Sequence, residues 1–174
     1  MKRIRLPLTK KQAAGLKAGD EVLLSGYIYT ARDQAHKRMC ECVIKKKKLP
    51  ISLKNSIIYY CGPTPPKKGK PIGACGPTTS KRMDLFTPRL LSKGVLAVIG
   101  KGNRSNEVVS SLKKHKGVYF VAPAGAGAYL ALRVKESKMV AYHDLGTEAI
   151  HKLKVEDFPV VVGIDSKGRN IYEN

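Results

Sequence analysis

A chain of 174 residues is long enough for one domain with a real core and too short for two comfortable ones, so a single domain over residues 1–174 is expected. The formal net charge of +20 invites a nucleic-acid-binding reading, since clustered lysines release counterions from phosphates. Three Phe, no Trp and no zinc-finger or RNP-like spacing argue against it, and the surplus reads mainly as solvated surface that can face an acidic partner or draw in an anionic substrate.

Taken in chain order, the polar stretch from Thr9 to Asp20 accommodates one short helix ending near Gly15 or Gly19. Glu21 to Thr30 is rich in apolar and aromatic residues, lacks Pro, and predicts a strand. A helix follows from Asp33 to about Lys46, with Asp33 as its cap. Asn55 to Tyr60 reads as another strand, halted by the loop composition of Gly62-Pro63-Thr64-Pro65-Pro66. Cys75-Gly76-Pro77-Thr78-Thr79-Ser80-Lys81-Arg82-Met83-Asp84 reads as a Gly-Pro turn entering a helix, which Pro88 divides in two, with Thr87 as cap of the second piece. Val95 to Ile99 is a continuous apolar run of buried-strand type, ending at Gly100-Lys101-Gly102. Ser105 caps a helix with Glu107 early and Lys113, Lys114 and His115 late. Val118 to Val121 is a further strand. The Gly-Ala string over 124–128 opens a helix and, lacking GxGxxG spacing and a P-loop Lys, reads as close backbone packing. Strands alternating with helices, with strand-only stretches near front and back, give an α/β fold.

The absence of a run of about 18 apolar residues, and of an apolar segment behind Met1-Lys2-Arg3, predicts a soluble, cytoplasmic protein. Cys40, Cys42, Cys61 and Cys75 show neither a zinc nor a disulfide spacing, so reduced thiols and no metal on this chain are expected.

The 75–84 segment carries the most chemistry. Two adjacent hydroxyls and a guanidinium at a helix start form a grip for a carboxylate, because helix N-termini offer unpaired N–H groups and Arg offers a planar fork. The plain alternative is an ordinary helix start with a solvated Arg. Arg32 reads equally well as a salt-bridge partner of Asp33, and Lys101, between two glycines, as a solvated turn residue. His36 lies one turn beyond Arg32 and titrates near neutrality, so it is either an acid–base group or a hydrogen-bonding support for Arg32. Asp144 and Glu148 read as anchors for a basic residue.

Five collinear segments carry a resemblance: Leu24 to Arg38 (LSGYIYTARDQAHKR), Tyr60-Cys61-Gly62-Pro63, Gly76 to Asp84 (GPTTSKRMD), Ile99-Gly100-Lys101-Gly102, and Asp144 to Ile150 with Val155 to Pro159. In this order the chain resembles the beta subunit of class I, iron–sulfur-dependent fumarate hydratases and L-tartrate dehydratases. The resemblance implies a swivelling β/β/α domain and reversible hydration of fumarate to (S)-malate, a step of the tricarboxylic acid cycle. It also implies that Arg32, Thr79, Arg82 and Lys101 contact substrate carboxylates and that Thr78, with His36 as a second candidate, transfers the proton. An alpha subunit would bring the [4Fe-4S] cluster, in an alpha2beta2 heterotetramer. L-tartrate dehydratase and mesaconate (methylfumarate) hydratase beta subunits remain alternatives, with a basic nucleic-acid-binding module as the alternative from another class. Lys81 departs from the family pattern, where a small residue is expected.

Overall fold

The computed structural model describes residues 1–173. Five strands run parallel in chain order: β1 (Lys2–Arg5), β2 (Glu21–Thr30), β3 (Ile57–Tyr59), β4 (Ala97–Gly100) and β5 (Val118–Val121). The long antiparallel β7 (Ile150–Ile164) then pairs with β5 on one side and β2 on the other, and also with β6 (Val134–Ala141). The path β2-β3-β4-β5-β7 thereby returns to β2, closing a small barrel-like sheet.

Closure explains why the central strands read as continuous apolar runs. Alternate side chains point to opposite faces, and here both faces are covered. Ile57, Tyr59, Ala97, Ile99, Val118 and Phe120 belong to a cluster inside the closed sheet, with Val22, Leu24, Ile28, Phe158 and Val160. Ile58, Tyr60, Val98 and Tyr119 point outward and pack beneath α2 (Asp33–Ile44), α3 (Thr87–Ser92) and α4 (Asn106–His115), through Ala35, Met39, Leu90, Leu91, Val108 and Leu112. Two short helices complete the chain, α1 (Lys10–Gly15) and α5 (Gly127–Leu132), with Ala13 and Leu130 fully buried.

Local signals account for the starts of α1 and α4. Thr9 and Gln12 form a capping box on α1. Ser105 Oγ accepts from Val108 N–H at 3.3 Å on α4, whose end is a left-handed Lys116. Two expected caps are corrected. Asp33 is the first helical residue of α2, after Arg32, rather than its cap. Thr87 is the first residue of α3, and its hydroxyl donates to Met83 O at 2.8 Å instead of capping.

The expected helix after the Gly-Pro turn is a single 3-10 turn, Ser80–Met83, with no side-chain cap from Thr79. Ser80 Oγ points inward, where it accepts from Lys101 N–H at 2.9 Å, so this segment is shaped by the loop it packs against. Close backbone packing at 124–128 is borne out: Cys75 N–H donates to Gly127 O at 3.1 Å. A Cβ on Gly127 would stand 3.1 Å from Gly76 N, closer than most Cβ contacts, so the neighbouring backbone would have to give.

Candidate functional site

The parallel strands deliver their C-terminal ends to one edge of the sheet, where ligands gather in open α/β folds. Arg32 follows β2, Cys61 and Gly62 follow β3, and Lys101 follows β4. The 75–84 segment lies across these ends. Thr78 N–H donates to Tyr60 O at 2.7 Å, Ser80 N–H donates to Lys101 O at 3.2 Å, and Thr79 forms a parallel bridge with Lys101. Gly100 permits this approach, since a Cβ there would fall 1.9 Å from Ser80 Oγ.

Arg82 is the centre of the exposed part. Its Nε and Nη2 donate to the two oxygens of Asp33 at 3.1 Å each, and Nη2 donates to Thr78 Oγ1 at 3.1 Å. Burial works against ionisation of Asp33, but the Arg82 bonds outweigh it and hold the carboxyl below its ordinary range. Asp33 therefore does not pair with its neighbour Arg32. The Arg32 side chain instead lies over Gly62, where an added Cβ would meet its Cδ at 2.8 Å. Its Nε is buried without an acceptor among the described residues. A buried guanidinium N–H left unpaired costs about 1–3 kcal/mol; Arg104 Nη1 and Tyr142 Oη are the other buried polar atoms without a partner among the described residues. Thr79 is exposed and Lys101 half-buried; both line an open cavity of about 430 Å³ with Gly102, Ala122, Pro123 and Tyr172. Arg32, Thr78 and Arg82 lie outside its walls. Lys81 is exposed to solvent.

His36 sits below the surface. It is 1% exposed, between the rings of Tyr60 and Phe86, and its Nδ1–H donates to Arg32 O at 2.7 Å. Burial lowers its pKa to about 4, which the Arg32 carbonyl only partly offsets. At neutral pH the ring is uncharged and supports the backbone of Arg32.

A buried network that sequence reasoning missed stands beneath the exposed groups. Arg104, with its side chain wholly buried, pairs with Asp84 at 2.7 Å. Its Nη2 donates to Tyr60 Oη at 3.1 Å and Thr87 Oγ1 at 2.8 Å, and its guanidinium lies over the rings of Tyr60 and Tyr119. Tyr119 Oη accepts from Ser80 Oγ at 3.0 Å and donates to Gly102 O at 2.8 Å. The network ties the 101–105 loop to the 80–87 segment. A lone Arg among Gly, Asn and Ser gives no local sequence signal of burial.

The segment 143–148 closes over α2. Asp144 forms a bidentate pair with Arg38 at 2.8 and 2.5 Å, the anchoring of a basic residue expected of it; Glu148 does not share that role, and its Oε1 instead lies 3.5 Å from the Gln34 backbone N–H. Cys61 Sγ and Cys75 Sγ lie 3.3 Å apart, both buried, and their mutual contact and burial push the Cys61 thiol pKa up. Cys40 faces Phe86 O. Among the described residues no group of three or more His, Cys, Asp or Glu could hold a metal ion, and these thiols do not fit an iron–sulfur cluster. No helix among the described residues is long and apolar enough to cross a membrane.

Comparison with known proteins gives a match to the Fumarase C-terminus family over residues 1–174. The chain is 41% identical over 152 residues to the anaerobic class I fumarate hydratase of Escherichia coli K12, which is 86% of this chain and 28% of that protein. It is 37% identical over 173 residues to fumarate hydratase 2 of Leishmania major, covering 97% of this chain and 30% of that protein. It is 42% identical over 173 residues to a Methanocaldococcus jannaschii protein provisionally named L(+)-tartrate dehydratase subunit beta, covering 95% of this chain and 88% of that one. The chain thus spans under a third of these two fumarate hydratases and nearly all of the third relative.

Proposed function

We propose, from the premise that the chain belongs to the Fumarase C-terminus family, that it is the beta-type half of a hydro-lyase acting on a four-carbon dicarboxylate, with fumarate and (S)-malate as the first choice. The observation that carries this reading is Arg32. Its guanidinium lies at the strand ends with a buried Nε lacking an acceptor, while the neighbouring carboxylate is committed to Arg82. The relatives named as fumarate hydratases and tartrate dehydratase are hydro-lyases, and a dicarboxylate needs a cation at each end.

In this reading Arg32 takes one carboxylate, and Arg82, Thr79 and Lys101 take the other. Thr78 Oγ1 accepts from Arg82 Nη2, so its own proton is free to pass to one substrate carbon while water adds as hydroxide to the other; the proton that the water gives up returns to the Thr78 oxygen, and the guanidinium stabilises the transient alkoxide. His36 acts through the Arg32 backbone rather than on substrate.

The constellation is open to solvent, with Arg82 Nε and Nη2 facing a half-exposed pair, and water exclusion would need a second chain. We assign that role to an alpha subunit, in an alpha2beta2 assembly, which would also hold the [4Fe-4S] cluster that this chain's thiols do not fit. A swivelling β/β/α domain belongs to the same reading, supported by the small closed sheet with helices on its outer face. The match over 88% of the protein named for tartrate favours L-tartrate as the second substrate to assay, and mesaconate as the third.

The test is anaerobic turnover of fumarate by this chain alone and after reconstitution with an iron–sulfur alpha subunit, repeated with Arg82→Ala. Activity only in the mixture, abolished by the substitution without loss of folding, is the expected result. Turnover of tartrate or mesaconate instead would change the substrate and keep the site. Silence with all three, together with salt-sensitive binding to polyanions, would sink the reading in favour of a nucleic-acid module.

A further inference from the structure

A guanidinium has five N–H donors in a fixed plane. In Arg82 three are committed: Nε–H and one Nη2–H to Asp33, and the other Nη2–H to Thr78 Oγ1. Two remain, both on Nη1. An unrestrained Arg on a surface 3-10 turn would sample several rotamers and offer any edge of its fork, and ordering it costs side-chain entropy. Here the Asp33 carboxylate takes the Nε edge, fixes the plane, and leaves Nη2 aimed at the threonine hydroxyl and Nη1 for a ligand. Asp33 is itself fixed as the first residue of α2, directly after Arg32, so one dipeptide sets the positions of both substrate-facing guanidinia.

We infer that Asp33 is a positioning residue of the dicarboxylate site, acting through Arg82 to set the Arg82–Thr78 hydrogen bond and to reserve Nη1 for the substrate carboxylate. The inference deepens the proposed function and rests on it. The lowered pKa of Asp33 keeps it ionised across the working pH range, so the clamp is constitutive rather than a pH switch. It also predicts that Thr78 depends on Asp33, a residue 45 positions away linked to it through Arg82 Nη2: without the carboxylate, Nη2 is no longer held against Oγ1.

The test uses the reconstituted alpha–beta enzyme with Asp33→Asn, Asp33→Glu, Arg82→Lys and the double variant Asp33→Asn/Arg82→Lys. Asparagine keeps the shape but opposes an N–H₂ to one guanidinium donor; kcat/KM is expected to fall about 100-fold, the scale of a roughly 1 Å misplacement of a catalytic group. Glutamate keeps the charge and should recover at least about tenfold of that loss, which a purely structural side chain would not do. Lysine cannot take the fork, so Asp33→Asn should cost less than about threefold in the Arg82→Lys background. Full activity of Asp33→Asn, or effects that multiply in the double variant, would overturn the inference while leaving the functional reading intact. A wild-type complex silent toward all three dicarboxylates would overturn the functional reading and the inference together. The thermal midpoints of the single variants should stay within about 3 °C of wild type, because an exposed pair of this kind contributes little to stability.

Discussion

Replacing Arg104 by Leu tests whether the buried network is a structural element of the site. The substitution removes the ion pair to Asp84, the donors to Tyr60 and Thr87, and the cation held over two aromatic rings. Asp84 keeps one partner, the Ser105 N–H at 2.8 Å, but loses its countercharge in a largely buried position. Breaking a buried pair by removing one partner costs about 3–5 kcal/mol. With an unfolding entropy near 2.1 cal/mol/K per residue, the 174-residue chain should lose roughly 8–14 °C of Tm. The assay is urea unfolding at constant pH with a parallel thermal melt, reading ΔG and the m-value together so that a change in unfolded-state compactness is separated from a change in stability. The double variant Arg104→Leu/Asp84→Asn removes the stranded charge and should regain part of the loss. A deficit under about 1 kcal/mol for Arg104→Leu, or a double variant as unstable as the sum of its singles, would refute the account of the network.

Three further outcomes are expected. Gly62→Ala places a Cβ 2.8 Å from Arg32 Cδ and 3.1 Å from its Nη1; the flexible end of that side chain can shift, so Tm should fall by less than about 3 °C while KM in the reconstituted enzyme rises about tenfold. The folded pKa of His36 near 4 lies below its unfolded value near 6.5, so the unfolded chain binds the proton first; the His36 contribution is complete above about pH 6.5 and is lost as pH falls toward 4, about 3 kcal/mol in all. Urea midpoints at pH 7 and pH 4.5 read it, and His36→Asn, which keeps an N–H for the Arg32 carbonyl, should flatten the difference. Finally, Cys40, Cys61 and Cys75 are buried while Cys42 is partly exposed, so a chromogenic disulfide reagent should modify one thiol quickly in the native protein and the other three only on unfolding.

The sequence reveals those features whose causes are local. The sequence predicts β2 over Glu21 to Thr30, where the structure has it, because a ten-residue apolar and aromatic run without Pro has few other fates. Ser105 capped its helix for the same reason. The residues after Thr79 suit a helix, but the structure holds a single 3-10 turn there, because the inward pull of Ser80 toward Lys101 and Tyr119 is a long-range cause. The strand β7 is not visible as a unit in the sequence: Pro159 and the left-handed Asp157 interrupt it, and its pairing with β2 is to residues over a hundred positions upstream. At the candidate site, the Gly-Pro-Thr-Thr segment, Arg32 and Lys101 are singled out by resemblance, and the structure places them at the strand ends. The pairing of Asp33 with Arg82 is not legible in the sequence, since Arg32 stands next to Asp33 and the partner lies 49 residues away.

The strand β7 also governs the order in which the molecule can be finished. Until residues 150–164 have left the ribosome, β2 and β5 each carry an unpaired edge, and the growing chain is an open parallel sheet with two sticky margins. Parallel pairing over long separations is slow to form, so the nascent sheet waits, exposed, for the strand that seals both margins at once. A stalled or truncated chain lacking this segment should therefore be captured by chaperones or aggregate.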